Sequence, residues 1–325
     1  MSHLNFLYCF DENYNTQAFV SINSLLKNID EKVNIYIIHK NPASFINYYN
    51  SIIKNENIND IKISEFKLKN HDFPKLKNAH VSEATYYRIF AEEYVDVDID
   101  FLIYLDADII CLNNPLPLLH ETILNLKNTV KPVAARTEGM RNDYENWTKQ
   151  EAEKFFRRLD LKGNNYFNAG VLVMNFNMWK DNDTQKSLIS ILEKYKKNII
   201  YWDQDLLNKA FDNNFMDMSN SLNFNLGIFD NPSYTYEYVK ENIFFLHFSG
   251  KGKPWNLEFI QYKNSNFYQD EFREISSKKY HVVANKKLSS FFFLIKNLIN
   301  LRIFDYDYPL EFFKGSIKSL VTSKK

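Results

Sequence analysis

The first hundred residues alternate short apolar runs with segments of helical periodicity, and this alternation narrows the fold class more than any other feature. The apolar runs predict strands at residues 4–10, 33–39, 61–66 and 101–105. The segments between them predict helices at residues 16–27, 44–54 and 82–94. Buried strands separated by helices are typical of an α/β fold, with a mostly parallel central sheet and helices on both faces. Ligands of such sheets bind at the carboxyl ends of the strands.

The pattern continues to about residue 275, where the composition changes. Further strands are predicted at residues 130–136, 169–176 and 243–248, and further helices at residues 148–159, 184–197 and 204–211. Residues 276–325 contain ten Lys or Arg against three Asp or Glu, and several aromatic residues. We therefore expect a catalytic domain over residues 1–275 and a small, basic helical appendage over residues 276–325.

Segment 287–304 of this appendage has the pattern of an amphipathic helix. One helical stripe carries Phe291, Leu294, Ile295, Leu298 and Leu301, and basic residues flank it. Helices of this kind are typical of proteins that lie on an anionic membrane surface. The sequence therefore predicts a membrane-association region, and the alternative is a helix packed on its own domain.

Composition limits the classes of partner. The formal net charge is zero, so nucleic acid is not an expected partner. Two cysteines, Cys9 and Cys111, cannot form a disulfide framework and suit a reducing compartment. The N-terminus lacks the features of a secretory signal, and no run reaches the roughly 18 apolar residues of a membrane span. We expect a cytoplasmic protein that can associate peripherally with the inner face of the plasma membrane.

Two carboxylates, Asp106 and Asp108, come directly after a predicted buried strand. Residues two apart on an extended chain project to the same side. The pair can share one hard cation, or one carboxylate can bind metal while the other holds sugar hydroxyls. A solvated turn is the alternative. His247 ends another strand, and a mixed carboxylate and imidazole site suits Mn²⁺ better than Ca²⁺, although a structural histidine is equally compatible with this position.

Other polar segments follow or precede predicted strands. The loop after His247 is rich in Gly and Lys, and its Lys253 offers a positive charge to a diphosphate. Asn168 can donate to and accept from sugar hydroxyls, and Gly170 permits close approach. Asp203 has the position of a helix N-cap. Capping would explain why this residue is polar, but it would not explain the polar Gln204 beside it. Each of these segments also has a purely structural interpretation as a turn or a cap.

The sequence contains neither a Walker phosphate loop nor a Gly-x-Gly-x-x-Gly motif, so P-loop ATPases and Rossmann dehydrogenases lose their main support. It also lacks a nucleophilic serine elbow and a Cys-x-x-Cys pair. A sugar-phosphate nucleotidyltransferase would require a glycine-rich, basic N-terminal loop, whereas the segment FDENY at residues 10–14 is acidic.

In chain order, the polar segments resemble those of glycosyltransferase family 8. The matching segments are FDENY at 10–14, HVSEATYYR at 80–88, YLDAD at 104–108, NAGV at 168–171, DQDLLN at 203–208 and HFSGKGKPW at 247–255. They cover about the first 260 residues. This retaining family includes bacterial lipopolysaccharide galactosyl- and glucosyltransferases, and the sequence is most similar to the α-galactosyltransferases. The resemblance implies a GT-A fold, a UDP-sugar donor and Mn²⁺, with Mg²⁺ as the alternative.

The resemblance also implies roles for individual residues. The implied metal ligands are Asp106, Asp108 and His247. The implied substrate-binding residues are Asp11 and Tyr14 at the uracil, Gly250 and Lys253 at the diphosphate, and Arg88, Asp106, Asn168, Ala169, Asp203 and Gln204 around the sugar. Gln204 and Asp203 are the implied catalytic residues, with Gln204 nearest the anomeric carbon. Because glutamine is a weak nucleophile, same-face attack by the acceptor is the favoured route to retention. Glu138 stands where several relatives have Asp, so the acceptor's identity does not follow.

The predicted function is transfer of galactose or glucose from a UDP-sugar to a saccharide acceptor. A lipid-linked acceptor in lipopolysaccharide, lipooligosaccharide or another surface glycan agrees best with the basic appendage. Transfer onto protein or a storage glucan is one alternative. A non-catalytic nucleotide-sugar-binding protein is the other, and it would be expected to have lost a metal ligand.

Overall fold

The computed structural model describes residues 3–67, 73, 82–141, 148–229, 231 and 233–322. Its strands, in chain order, are β1 (Asn5–Phe10), β2 (Val33–His39), β3 (Ile58–Glu65), β4 (Phe101–Leu105), β5 (Ile109–Cys111), β6 (Val133–Ala135), β7 (Thr137–Met140), β8 (Asn165–Phe167), β9 (Val171–Asn175), β10 (Met216–Asp217) and β11 (Phe245–His247). Its α-helices are α1 (Asn15–Asn28), α2 (Ile46–Ile52), α3 (Leu116–Lys127), α4 (Lys149–Arg157), α5 (Phe176–Asp181), α6 (Thr184–Tyr195), α7 (Trp202–Phe211), α8 (Tyr236–Asn242), α9 (Asn266–Ile275), α10 (Lys287–Ile299) and α11 (Pro309–Thr322).

A seven-stranded sheet in the order β10-β6-β9-β4-β1-β2-β3 forms the centre of the fold. Its neighbours pair in parallel except for β9, which runs antiparallel to both β4 and β6. The prediction of a mostly parallel α/β sheet is therefore confirmed.

Side chains of β1 alternate between two hydrophobic cores, one on each face of the sheet. Phe6, Tyr8 and Phe10 pack in the core that contains α1 and α3. Leu7 and Cys9 point to the opposite core, which contains residues of α6 and α7. Successive strand residues point to opposite faces, so a strand apolar at every position requires a covering layer on both sides.

A separate two-stranded sheet brings the end of β11 beside the loop that follows β4. Strand β11 pairs antiparallel with β5, and His247 is the partner of Ile109. The N–H of Phe248 donates to the carbonyl of Asp108 over 3.1 Å, which extends the pairing to the end of β4 and its loop. The loop after β4 and the loop after β11 therefore lie side by side.

Most predicted elements are present within a few residues of the predicted bounds, with three differences. The helix predicted at residues 82–94 is a 3-10 helix, Glu83–Glu93, with non-helical backbone at Phe90. Helices α3, α5, α8, α9 and α11 and the short strands β5, β7, β8 and β10 were not predicted. Asp203 is not an N-cap, because α7 begins one residue earlier, at Trp202. His80 and Val81 of the HVSEATYYR segment lie outside the described residues.

The C-terminal appendage packs against the preceding region: residues of α10, α11 and the loop before α10 share a small core, here called the appendage core, with Leu257 and Ile260. The prediction of one continuous apolar helix face at residues 287–304 is wrong. Helix α10 ends at Ile299, Leu301 takes a left-handed conformation (φ 57°), and Leu294 points into the appendage core. Three residues of the predicted stripe, Phe291, Leu298 and Leu301, do face solvent, together with Leu288, Phe292, Ile299, Phe304, Leu310, Ile317 and Val321. Among the described residues, no helix is long and apolar enough to span a membrane.

Candidate active site

Three predicted metal ligands converge where the loops after β4 and β11 meet. Ligand atoms of Asp106, Asp108 and His247 all lie within 4.8 Å of one another. His247 Nε2 is 3.4 Å from Asp108 Oδ1 and 3.7 Å from Asp106 Oδ2. These three residues form a group that can hold a divalent metal ion.

The surroundings of the Asp108 carboxylate favour the binding of a cation. Its Oδ1 atom is buried and has no hydrogen-bond partner among the described residues, although it faces His247. Burial would raise the pKa of Asp108, but the charges of Lys253 and His247 outweigh burial and lower it. A buried carboxylate oxygen without a donor is costly unless something positive binds it, and a divalent cation would satisfy it.

Lys253 is buried beside this carboxylate. Its ammonium group donates to Asp108 Oδ2 and, over 2.7 Å, to the carbonyl of Phe248. Burial opposes the charged form, yet the charge of Asp108 raises the pKa of Lys253 above its ordinary value. The lysine thus lies at the candidate metal site, beside Asp108. Gly250, in the same loop, has φ 79°, a conformation that favours glycine.

Gly170 makes room for the imidazole of His247. A Cβ atom at position 170 would lie 2.2 Å from Cε1 of His247, far inside contact distance. The predicted close approach at Gly170 therefore occurs, and the group that approaches is the histidine ring. In addition, the N–H of Asp106 donates to the carbonyl of Gly170 over 2.9 Å, which ties β9 to the loop after β4.

Arg88 connects the metal site to the segment that carries Gln204. Its guanidinium pairs with Asp106 and with Asp203, each at 2.8 Å, and lies 3.5 Å above the centre of the Tyr104 ring. The side chain is almost completely buried. Although burial disfavours the cation, the Asp203 charge raises the pKa of Arg88 further. Periodicity and composition do not separate this arrangement from a solvated helix arginine, and it was the family resemblance that indicated a role for Arg88.

The three polar residues at the start of α7 have different surroundings. Asp203 accepts from Thr85, and burial raises its pKa to about 6 even though Arg88 and Thr85 lower it. Gln204 accepts from the N–H of Ala169 and donates to Glu138, both over 3.0 Å. Asp205 accepts from Arg158, Tyr166 and the backbone N–H groups of Ile200 and Tyr201. Trp202 begins the helix with φ 44°, an unusual conformation for a bulky residue.

A small cavity of about 90 Å³ opens beside the metal ligands and is lined by Tyr14, Thr85, Tyr104 and Lys253, among others. Tyr14 packs edge to face against Trp255, with ring centres 6.0 Å apart. Asp11 caps the short 3-10 helix Glu12–Tyr14 through the N–H of Asn13. The structure therefore brings Tyr14 to the cavity and gives Asp11 a capping role as well.

Buried amides extend the site beyond the predicted residues. Asn223 is fully buried, and its side chain lies between His247 and Asn168. Asn168 in turn donates to Glu138 over 3.2 Å. Asn223 stands in no recognisable motif, so nothing in the sequence indicated its place, and the same is true of the contact between Thr85 and Asp203.

Comparison with known proteins decides the family. The model of "Glycosyl transferase family 8" matches residues 5–258, which include every predicted site residue. The chain belongs to glycosyltransferase family 8. It is therefore a glycosyltransferase.

Two relatives and one solved structure illustrate the family relationship. Lipopolysaccharide 1,2-glucosyltransferase of Escherichia coli K12 is 28% identical over 82% of this chain and 76% of its own. Lipopolysaccharide 1,3-galactosyltransferase of Salmonella typhimurium is 30% identical over 53% of this chain and 49% of its own. The crystal structure of the galactosyltransferase LgtC with donor and acceptor sugar analogues superimposes with a TM-score of 0.64 at 20% identity, over 83% of this chain and 96% of that one. The family 8 chain thus has the GT-A fold of that structure.

Proposed function

We propose that this family 8 enzyme transfers galactose or glucose from a UDP-sugar to a saccharide acceptor of a surface glycan, with retention and with Mn²⁺. The observation that carries the proposal is the group of Asp106, Asp108 and His247 beside Arg88 and Lys253. The names of the relatives, which act on lipopolysaccharide with glucose or galactose, support the sugar and the acceptor class.

The donor's diphosphate would lie at the metal site. A bound divalent ion would stabilise the negative charge that develops on the departing phosphate. Lys253 is buried there with a raised pKa, and its ammonium group would donate to a diphosphate oxygen. Tyr14, on the wall of the same cavity, would stack on the uracil, and Asp11, whose carbonyl accepts from the N–H of Tyr14, lies next to it.

Same-face attack agrees with the surroundings of the candidate nucleophiles. Asp205 is fully buried, and both of its oxygens accept two hydrogen bonds. Asp203 is ion-paired to Arg88 and buried, and its raised pKa weakens it as a nucleophile at mildly acidic pH. Gln204 remains the residue at the sugar, as a polar contact and not as a covalent partner. Detection of a glycosyl adduct on Asp203 or Asp205 by mass spectrometry would contradict this route.

The experiment that tests the function measures UDP release with Mn²⁺ from UDP-galactose, UDP-glucose and UDP-N-acetylglucosamine. We expect slow hydrolysis of one donor, and loss of that activity in a chelator and in Asp108→Ala. Asp96→Asn is the matched control, because Asp96 lies on the surface and, within the described part of the chain, pairs with Lys62 and Tyr36. If UDP binds in a Mn²⁺-dependent way without turnover of any donor, the non-catalytic binding protein becomes the better interpretation.

We also propose that the appendage attaches the enzyme to an anionic membrane, close to a lipid-linked acceptor. Support comes from the exposed apolar residues of α10 and α11 and from the ten basic residues of 276–325. Exposed apolar patches of this kind mark interaction surfaces, and basic neighbours favour anionic lipids.

A further inference from the structure

Two side-chain amides at the site have orientations that backbone groups determine. The N–H of Gly170 donates to Asn168 Oδ1 over 2.9 Å, and the N–H of Ala169 donates to Gln204 Oε1 over 3.0 Å. A backbone N–H can only donate, so each amide must turn its oxygen towards the backbone. The NH₂ group of each amide must therefore point the other way.

Both NH₂ groups point to the same carboxylate. Asn168 Nδ2 lies 3.2 Å from Glu138 Oε1, and Gln204 Nε2 lies 3.0 Å from Glu138 Oε2. An ionised carboxylate is an acceptor at both oxygens, whereas a glutamine at this position would offer one oxygen and one NH₂ group. The guanidinium of Arg136, 3.8 Å from Oε1, balances part of the negative charge. An acidic residue is thus the side chain that satisfies both amides.

The orientation of Asn168 is passed on to the metal ligand His247. Asn223 Nδ2 donates to Asn168 Oδ1 over 3.0 Å, so Asn223 Oδ1 faces His247 Nδ1, 2.9 Å away. An amide oxygen can only accept, and Nδ1 must therefore carry the proton. The lone pair is left on Nε2, which is the nitrogen that faces Asp106 and Asp108.

We infer that Glu138 is a positioning residue for both halves of the site. Its carboxylate holds the amide of Gln204 in one orientation, and through Asn168 and Asn223 it keeps His247 in the tautomer that presents Nε2 to a metal ion. Partners of this kind around metal ligands typically change metal affinity or activity by about 10- to 100-fold when removed. The catalytic part of the inference rests on the proposed function, while the tautomer of His247 does not.

The first test reads the tautomer in the metal-free, full-length protein. Long-range ¹H–¹⁵N NMR on histidine-labelled protein, with the His247 signal assigned from His247→Phe, should show a proton on Nδ1. Asn223→Ala and Glu138→Gln should each shift His247 towards a mixture of tautomers, and Glu138→Asp should retain more of the wild-type state. Asn264→Ala is the control for a buried asparagine outside the network, since its amide bonds the carbonyl of Phe229. A wild-type proton on Nε2, or an unchanged tautomer in both variants, would overturn the inference.

The second test separates positioning from acceptor binding. Affinity for Mn²⁺ alone, measured by EPR, should fall at least tenfold in Glu138→Gln and Asn223→Ala. The rate of donor hydrolysis without acceptor should fall at least tenfold in Glu138→Gln, with UDP affinity at constant saturating Mn²⁺ changed less than threefold. Glu153→Gln, which alters a carboxylate that bridges Arg141 and Arg157, should leave both quantities unchanged.

A different result would assign Glu138 to the acceptor. If Glu138→Gln raises only the acceptor KM and leaves the tautomer, Mn²⁺ affinity and donor hydrolysis at wild-type values, the positioning role is wrong. If the wild-type protein hydrolyses no UDP-sugar, the proposed function fails by itself, because the tautomer and the Mn²⁺ affinity still decide the role of Glu138.

Discussion

At the scale of single residues, the site depends on groups whose shape or charge admits few replacements. Gly170 leaves space for the imidazole ring of His247. Asp205 accepts two hydrogen bonds at each of its carboxylate oxygens, and Glu138 accepts from the side-chain amides of Asn168 and Gln204. None of these three is a metal ligand. Substitution of Gly170, Asp205 or Glu138 should nevertheless affect metal binding, stability or catalysis, and separate measurements distinguish these three effects.

Gly170→Ala should disrupt the metal site while the fold is retained. The added methyl group would overlap the imidazole of His247, and β9 is held in the sheet on both sides, so the histidine must move. We expect the Mn²⁺ affinity to fall at least tenfold, measured by EPR or calorimetry. Gly315→Ala, in the middle of α11, is the control and should keep wild-type affinity. Unchanged Mn²⁺ affinity in Gly170→Ala would show that His247 does not bind the ion.

Asp205→Asn should destabilise the protein without a direct effect on ligands. The change removes the charge that pairs with the mostly buried Arg158 and turns an NH₂ group towards donors such as Tyr166. Breaking a buried ion pair by removing one partner costs about 3–5 kcal/mol, so we expect a loss near 3 kcal/mol in the free energy of unfolding. Urea denaturation measures it, with Asp96→Asn as an exposed control expected to change by about 0.5 kcal/mol or less. A loss no larger than in the control would contradict the structural role of Asp205.

At the scale of elements, the sequence predicted the type of secondary structure better than the location and pairing of each element. Strands β1 and β2 were evident because most of their residues are apolar and each has a helix after it. Helix α3 was missed because Pro117 and a run of leucines interrupt any amphipathic pattern, and proline is tolerated only because it lies in the first turn. The pairing of β5 with β11 could not be predicted either, since each strand has three residues and the partner is far along the chain.

Some residues of the candidate site could likewise be predicted from the sequence, and others could not. Asp106 and Asp108 follow β4 and His247 ends β11; the family resemblance implied that they share a metal ion, and their ligand atoms do lie together. Asn223 follows a short 3-10 helix, and its inferred role depends on its contacts with the side chains of Asn168 and His247. A residue whose role lies wholly in tertiary contacts leaves no local pattern in the sequence.

The junction between α9 and the appendage should be sensitive to acid. His281 bonds Tyr268 over 2.5 Å and stacks on Phe272, and burial lowers its pKa from 6.5 to about 3. The unfolded chain therefore binds more protons than the folded chain between these pH values, so stability is lost as the pH falls below 6.5. Because the residue keeps some exposed surface, we expect a loss of about 1 kcal/mol between pH 7 and pH 5 beyond that of His281→Phe. Equal pH dependence in the two proteins, measured by urea denaturation, would contradict this.

At the scale of the whole molecule, charge and apolar surface are unevenly distributed. The net charge of the chain is zero, yet residues 276–325 carry an excess of seven positive charges, and the exposed apolar residues of α10 and α11 lie in the same region. Attraction to an anionic surface would therefore come from one end of the molecule.

Membrane binding should depend on this end. The double change Phe292→Asp and Ile299→Asp places two charges on the exposed face of α10, where both side chains contact solvent, so the fold should tolerate them. We expect binding to vesicles that contain phosphatidylglycerol, measured by sedimentation, to fall at least tenfold. Leu124→Asp is the control, because Leu124 is an exposed apolar residue of α3, outside the appendage. Equal sedimentation of the double variant and the wild type would contradict the proposed attachment.

The antiparallel pairing of β5 with β11 has a consequence for synthesis on the ribosome. Ile109 pairs with His247, 138 positions later, so the acidic half of the metal group leaves the ribosome long before the imidazole. A nascent chain that ends before β11 would have the two aspartates and no means of completing the group. Closing so long a loop is among the slower steps of folding. Tight binding of the ion would therefore report that translation has passed His247 and that the long-range strand pair has formed.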